Sequence, residues 1–230
     1  MSGDTSALQL VLSGDPALFA IVRLSLFMTL SAVLFSMLIG VPFGALLALT
    51  RFPGREPAIV VVNALMGLPP VVVGLAIYLL LSRSGPLGFF GLLFTVQAMI
   101  FAQTVLVTPI IAALTRQTIE DLWDEYRDEL AAMNIGPLRR LATLIRDARF
   151  SLVTALLAGF GRAAAEVGAI LIVGGNIDGY TRTMTTAIAL ETSKGDLSLA
   201  IGLGIILISI VIFINALAWG VRRIGERYAG

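Results

Sequence analysis

Cysteine and histidine are absent from the 230 residues, and both absences remove chemistry. Without thiols there is no disulfide framework and no thiol nucleophile. Without either residue there is no zinc site of the usual kind and no imidazole acid-base catalyst. Charge is scarce as well: 13% of residues are Asp, Glu, Lys or Arg, against about 25% in an ordinary soluble domain. A net charge of +1 gives no polyanion-binding surface, and no cluster of basic and aromatic residues marks a nucleic-acid module, so nucleic acid is excluded as a partner. Lysine occurs once, as Lys194, and no Gly-x-x-x-x-Gly-Lys-Ser/Thr loop is present to cradle the phosphates of ATP.

What is abundant is apolar. Hydrophobic residues make up 57% of the chain and mean hydropathy is +0.94. A helix that crosses a bilayer needs about 20 mostly apolar residues. Segments near Leu18–Leu49, Ala58–Leu81, Phe89–Leu114, Ser151–Gly175 and Leu197–Gly220 meet that length. The expectation is an all-α membrane protein with about five transmembrane helices. The stretch Met1–Pro16 holds Asp4 and Asp15 and no basic residue, so it lacks the charged start of a cleavable signal peptide, and the first span is expected to be retained.

Cationic residues orient the spans. With the N-terminus outside, Arg51, Arg55, Arg116, Arg127, Arg139, Arg140, Arg146, Arg149, Arg222, Arg223 and Arg227 are cytoplasmic, and Arg23, Arg83, Arg182 and Lys194 are external. Residues 1–17 then form an extracytoplasmic segment and residues 221–230 a cytoplasmic tail. The chain shows no internal repeat of the kind that lets one polypeptide enclose a pathway. Five unduplicated spans make half a pathway, which a symmetric dimer completes.

Two spans contain helix breakers: Gly40-Val41-Pro42-Phe43-Gly44 in the first and Gly67-Leu68-Pro69-Pro70 in the second. Proline lacks an amide donor and clashes with the preceding turn, so both helices are expected to kink or unwind. The freed carbonyls then need protein or a water-lined cavity, as a packing kink or as a break lining a route. In the fourth span Arg162 and Glu166 stand at i and i+4, on one helix face. Each charge costs roughly 2.5 to 3.5 kcal/mol at the bilayer centre, so neither faces lipid. They form either a structural pair or an anion-lining arginine whose rotamer Glu166 fixes. A glycine-rich exit follows, Gly174-Gly175-Asn176-Ile177-Asp178-Gly179-Tyr180-Thr181-Arg182-Thr183, and then a short helical segment Met184–Glu191. It reads as an external turn with a surface helix, or as a set of oxyanion donors.

Between the third and fourth spans lies a polar island, Thr115–Phe150. Ile119, Leu122, Trp123, Tyr126 and Leu130 recur at helical spacing on an otherwise acidic helix. Gly136-Pro137 breaks it, and a basic segment Leu138–Phe150 returns to the membrane. The apolar stripe needs a cover, which points to a soluble partner gripping the island.

Within it, Leu130-Ala131-Ala132-Met133-Asn134-Ile135-Gly136 resembles the EAA loop of type I ABC importer permeases. That signature begins Glu-Ala-Ala and places Gly four positions after the second Ala. Here Leu130 stands in the Glu position with Glu129 before it, and Arg146-Asp147-Ala148-Arg149 lies where the family continues Ile-x-Leu-Pro. Leu68-Pro69-Pro70-Val71-Val72-Val73-Gly74 resembles the second-span motif of molybdate-type permeases, and Ala165-Glu166-Val167-Gly168-Ala169 resembles their Gly-Glu-Phe-Gly-Ala. Gly175-Asn176-Ile177 and Thr181-Arg182-Thr183 continue the likeness, and the wording of Gly159–Ala169 and Glu191–Asp196 is most similar to the tungstate branch. The resemblance spans Leu18 to Gly220.

It implies a permease subunit with its permease domain over 18–220 and its coupling loop over 115–150. It implies a homodimer in the cytoplasmic membrane, served by separate ATP-binding subunits that hold ATP and Mg and by an extracytoplasmic binding protein that delivers tungstate. The chain itself would hold no cofactor or metal and would not be an enzyme. ATP-driven alternating access would couple through Glu129, Ala131, Ala132 and Gly136. Candidate pathway residues are Pro69, Pro70, Arg162, Glu166, Gly168, Asn176, Thr181 and Arg182. Molybdate or sulfate import is the nearest alternative. A self-contained ion-coupled carrier or channel is a more distant one, and an intramembrane enzyme lacks paired membrane carboxylates.

Overall fold

The computed structural model describes residues 16–133 and 135–229, so the expectations for residues 1–15 and for Asn134 and Gly230 lie outside the described residues. Among the described residues the chain is helical throughout, with no strand. The helices are α1 (Pro16–Leu49), α2 (Arg55–Met66), α3 (Pro70–Leu81), α4 (Val96–Ala132), α5 (Pro137–Asp147), α6 (Arg149–Ala164), α7 (Gly168–Gly174), α8 (Met184–Lys194) and α9 (Leu197–Ala229). A single 3-10 turn, Gly88–Phe90, lies between α3 and α4. The expected tail over 221–230 continues α9 as helix to Ala229.

Among the described residues three helices are long and apolar enough to cross a membrane unaided, within Pro16–Leu49, Val96–Ala132 and Leu197–Gly220. Two further spans are broken: α2 and α3 meet at 102°, and α6 and α7 at 59°. Counting each bent pair as one span gives five. The most apolar window of α4 is 67% buried and that of α9 is 17% buried, so α4 is the central post and α9 a peripheral helix. Large apolar side chains such as Phe27, Leu34, Leu38, Ile208, Ile212 and Phe213 point outward from α1 and α9. In water that much exposed hydrocarbon would drive association. In lipid it is a matched surface.

The second span breaks where the glycine and prolines predict. α2 ends at Gly67, whose N–H donates to Ala64 O at 3.1 Å, and Pro69 adopts φ −65° and ψ 121° before α3 starts at Pro70. The first span does not unwind at its proline: α1 continues as helix through Pro42. Its glycines serve contact. A Cβ on Gly40 would lie 3.0 Å from Thr108 O, and one on Gly44 would lie 2.3 Å from Ala112 O. One turn earlier, Ser36 Oγ donates to Thr104 O at 3.3 Å. Ser36, Gly40 and Gly44 thus form a small-residue seam at spacing four, the arrangement that lets membrane helices approach closely where no hydrophobic effect drives them together. α1 and α4 accordingly share the most extensive helix contact in the protein.

At 37 residues, α4 is about 55 Å long, against about 30 Å of hydrocarbon. Its last turns therefore leave the membrane and form the acidic helix of the polar island. The island's apolar stripe is covered by the chain itself: Ile119, Leu122, Trp123, Tyr126 and Leu130 pack with Leu141, Leu144 and Ile145 of α5 and with Ala45 and Ala48 of α1. The inference that this stripe needs a foreign cover is therefore corrected. The basic segment folds back under the acidic helix because α5 carries its own apolar face.

Replacing Gly44 with Ala sets a methyl against backbone that cannot yield, and the expected loss is about 2 kcal/mol. Gly204→Ala in α9, where an added Cβ meets nothing within 4 Å, should be neutral or slightly stabilising. Thermal unfolding of the two variants in one detergent checks this, and equal midpoints would show that the α1–α4 seam is looser than described.

Candidate functional site

The fourth span is interrupted at Ala165-Glu166-Val167, between the end of α6 and the start of α7. A break in hydrocarbon strands peptide groups that a continuous helix would pair. Here three of them have side-chain partners. Gln103 Nε2 of α4 donates to Ala163 O at 2.8 Å, and Thr185 Oγ1 of α8 donates to Glu166 O at 2.7 Å. Ala169 N at the start of α7 donates to Glu166 Oε1 at 3.0 Å, while Arg162 Nη1 donates to Glu166 Oε2 at 2.7 Å. Glu166 is 3% exposed and the Arg162 side chain 30%. The expected i,i+4 pair forms, but it bridges a helix break instead of decorating a regular face. One carboxylate neutralises the cation and caps the next helix.

The two breaks adjoin. A Cβ on Gly168 would lie 2.7 Å from Val71 Cγ2, and one on Gly74 would lie 2.8 Å from Ala169 Cα. The first turn of α3 is thereby seated on the first turn of α7, and Pro69, Pro70, Arg162, Glu166 and Gly168 belong to one junction. Pro69 is exposed, Pro70 and Gly168 half-buried. The remaining candidates are elsewhere. α7 has seven residues, a rise of about 10 Å, and Asn176, Thr181 and Arg182 stand beyond its far end. There Thr181, fully buried, donates to Gly174 O at 2.6 Å and accepts from Ile177 N at 2.9 Å. Asn176 holds a left-handed φ of 51°, and Arg182 Nη1 pairs with Asp178 Oδ1 at 2.9 Å. Thr181 is the staple of this turn. The segment after it, α8, is no detached surface helix, because Met184 and Ala187 pack with Leu18 of α1 and Leu203 of α9.

At the island, Glu129, Ala131, Ala132 and Gly136 are all exposed, together with Met133. Leu130, at the position where the resembling motif has Glu, is 5% exposed and anchors the helix into the α5 contact. Arg140 lies 5.1 Å over the Trp123 ring and fixes α5 against α4. Carboxylates dominate the other face, and their field raises the Tyr126 phenol above its usual range, Glu125 first.

Sequence reasoning missed the tie between this island and the hairpin that joins the first two spans. Glu120 of α4 accepts from both Arg116 Nη1 and Arg55 Nη2. Arg55 Nε also donates to Leu47 O at 2.8 Å, at the end of α1. One carboxylate and two guanidinium groups so link α1, α2 and α4. The Arg116–Glu120 spacing of four was a legible signal. Arg55 is 65 residues from Glu120 and gave none. Gln103 and Thr185 were equally silent, being an ambiguous amide and one hydroxyl among several.

Known proteins agree with this architecture. The profile of the family described as "Binding-protein-dependent transport system inner membrane component" matches residues 40–227. A "Probable anion ABC transporter permease protein" of Haloferax volcanii is 43% identical over 206 residues, covering 87% of this chain and 88% of its own. The "Tungstate uptake system permease protein TupB" of Peptoclostridium acidaminophilum is 37% identical over 221 residues, covering 96% and 97%. Among solved structures, an inward-facing MetNI methionine ABC transporter chain superposes with a TM-score of 0.72 at 20% identity, over 90% of this chain and 95% of its own. At that identity it shows the fold alone.

Glu166→Ala removes both the cap and the counter-charge and should lower unfolding free energy in micelles by about 2 kcal/mol, below the full value for a buried pair because Arg162 is partly wetted. Glu166→Gln keeps an acceptor for Ala169 N and should cost about half as much. Identical losses for the two would mean that the capping bond contributes nothing.

Proposed function

The chain belongs to the family of binding-protein-dependent transport system inner membrane components, the ABC importer permeases, and from that premise we propose that it imports tungstate. The observation that carries the cargo is the near full-length likeness to a tungstate uptake permease. A likeness of the same extent to a probable anion permease supports the oxyanion class.

In this reading two copies enclose the route, since a single copy supplies two broken spans and no second half. Separate ATP-binding subunits hold ATP and Mg and hydrolyse the nucleotide. An extracytoplasmic binding protein delivers the anion and does most of the selection, because a permease must release what it binds. The N-terminus and residues 1–17 are outside, and the island and the end of α9 are cytoplasmic, as the arginine distribution requires. Glu129, Ala131, Ala132 and Gly136 present the surface to the ATP-binding subunit, the alanines permitting close approach and Gly136 the turn into α5.

The anion passes the junction of the two breaks. Arg162 is the group there with charge and exposure to meet it: its partner Glu166 is buried, while a third of its own side chain is open. Pro69, Pro70 and Gly168 shape the junction without offering donors, since proline has no N–H and glycine no side chain. Asn176, Thr181 and Arg182 form the outer turn through which the anion enters. In alternating access, closure of the ATP-binding subunits moves the island. Glu120 shares that displacement with α1 and α2 through Arg55.

Co-reconstitution in liposomes with an ATP-binding subunit and a binding protein tests the reading. Uptake that requires the binding protein and saturates at the lowest concentration with tungstate supports it. An equal response to molybdate makes the cargo both anions. No response to tungstate, molybdate or sulfate in an intact complex sinks the cargo assignment. Arg162→Gln should reduce tungstate uptake about tenfold or more, one charge-assisted contact, with assembly intact. Glu120→Gln should leave ATP hydrolysis running while uptake falls, and an unchanged ratio of uptake to hydrolysis would remove Glu120 from the coupling path.

A further inference from the structure

On the side of the protein that carries the turn after α7, a cavity of about 410 Å³ opens between the first turns of α1 and residues 178–182. Its walls divide by chemistry. Leu24 and Phe27 of α1 supply apolar surface, while Arg23, Tyr180 and Arg182 supply polar groups, with Asp178 at the rim. The apolar wall is continuous with the outward face of α1, where Phe19 and Phe27 are exposed, so the cavity opens toward the bilayer as well as toward water. Its volume lies in the range of about 300 to 1,000 Å³ typical of small-ligand sites.

Among the described residues the charges do not balance. Arg182 spends Nη1 on Asp178, which is itself 77% exposed. Arg182 Nε is buried and has no hydrogen-bond partner among the described residues. Arg23, on the same cavity wall, forms no ion pair with any described residue. Among the described residues two guanidinium groups face one rim carboxylate, Arg23 exposed and the paired Arg182 side chain 20% exposed, so this wall carries a net positive charge. Guanidinium groups bind tetrahedral oxyanions through paired N–H donors, and the Tyr180 hydroxyl adds a neutral donor.

We propose that this cavity is a binding site for a tetrahedral oxyanion group, held by Arg23 and Arg182 and moderated by Asp178. Two sources present that chemistry at this depth, the phosphodiester of an anionic lipid and a free oxyanion on its way inward. The apolar wall would seat the glycerol and first methylenes of a lipid, and it does nothing for a free anion. Only the free-anion source rests on the cargo reading above.

The full chain, purified in a neutral detergent, is titrated calorimetrically with dihexanoyl-phosphatidylglycerol in one arm and sodium tungstate in the other. Arg23→Gln and Arg182→Gln should each weaken binding about tenfold, one charge-assisted contact apiece. Asp178→Asn, which frees Arg182, should strengthen it several-fold, and a misfolded variant cannot produce that opposite sign. A response confined to phosphatidylglycerol identifies a lipid site, and one confined to tungstate identifies an entry site for the anion. If the wild-type chain binds neither probe, or if affinity is unchanged in the double arginine variant and in Asp178→Asn, the proposal is overturned. Liposome uptake separates the two readings. Lost tungstate uptake with a retained lipid response removes the cargo alone, and intact uptake with flat titrations removes the cavity alone.

Discussion

A peptide group released from a helix inside hydrocarbon has no water to turn to, and the fold is organised around satisfying the groups released at two breaks. Each stranded group costs several kcal/mol in lipid, so a break persists only where neighbouring elements are ready to receive it. Glu166 is the centre of that arrangement. Its backbone carbonyl is met by Thr185, its side chain caps Ala169, and its second oxygen holds Arg162. These partners come from α6, α7 and α8, and Gln103 ties α4 to the same break through the carbonyl of Ala163. An apolar residue at 166 would leave Ala169 N and Arg162 unpaired together.

The same constraint explains why the irregularities are concentrated. α2 and α3 have 12 residues each, about 18 Å of rise, too short to cross alone. α7 is shorter still. Placing the second break against the fourth brings Val71 to Gly168 and Gly74 to Ala169, so each irregular segment is shielded by the other instead of by lipid. α1, α4 and α9, which carry the outward hydrocarbon surface or the core, run uninterrupted. The glycines at 74 and 168 matter because a methyl at either would collide with the opposite span.

Much of this was legible in the sequence, for physical reasons that differ by element. Long apolar runs reported the spans, and Gly67-Leu68-Pro69-Pro70 reported the second break, because consecutive prolines remove donors that no single side chain restores. Gly40-Val41-Pro42-Phe43-Gly44 does not unwind its span, for the opposite reason. One proline frees one carbonyl, which a helix can tolerate, and the flanking glycines answer to the approach of α4, a contact that local pattern does not encode. The amphipathic stripe of the island was read correctly, and its cover was misassigned, because α5 meets it only after Gly136-Pro137 reverses the chain. Gln103 and Thr185 were invisible, since an amide or a hydroxyl in an apolar helix looks the same whether it serves a break, a neighbour or a cargo.

What unites the break and the island is α4. Along this one unbroken helix Gln103 holds the carbonyl of Ala163, Thr104 and Ala112 receive the seam of α1, Glu120 is gripped by Arg55, and Leu130 anchors α5. α4 runs as helix through its own Pro109, so all of these contacts are made to one element. The irregular backbone lies at the ends of the broken spans, at 67–69 and 165–167, and at the second of these side-chain hydrogen bonds have replaced backbone ones. One helix thus reaches from the island at its projecting end to the break in the fourth span, where the two irregular segments stand together beside the half-open charge of Arg162.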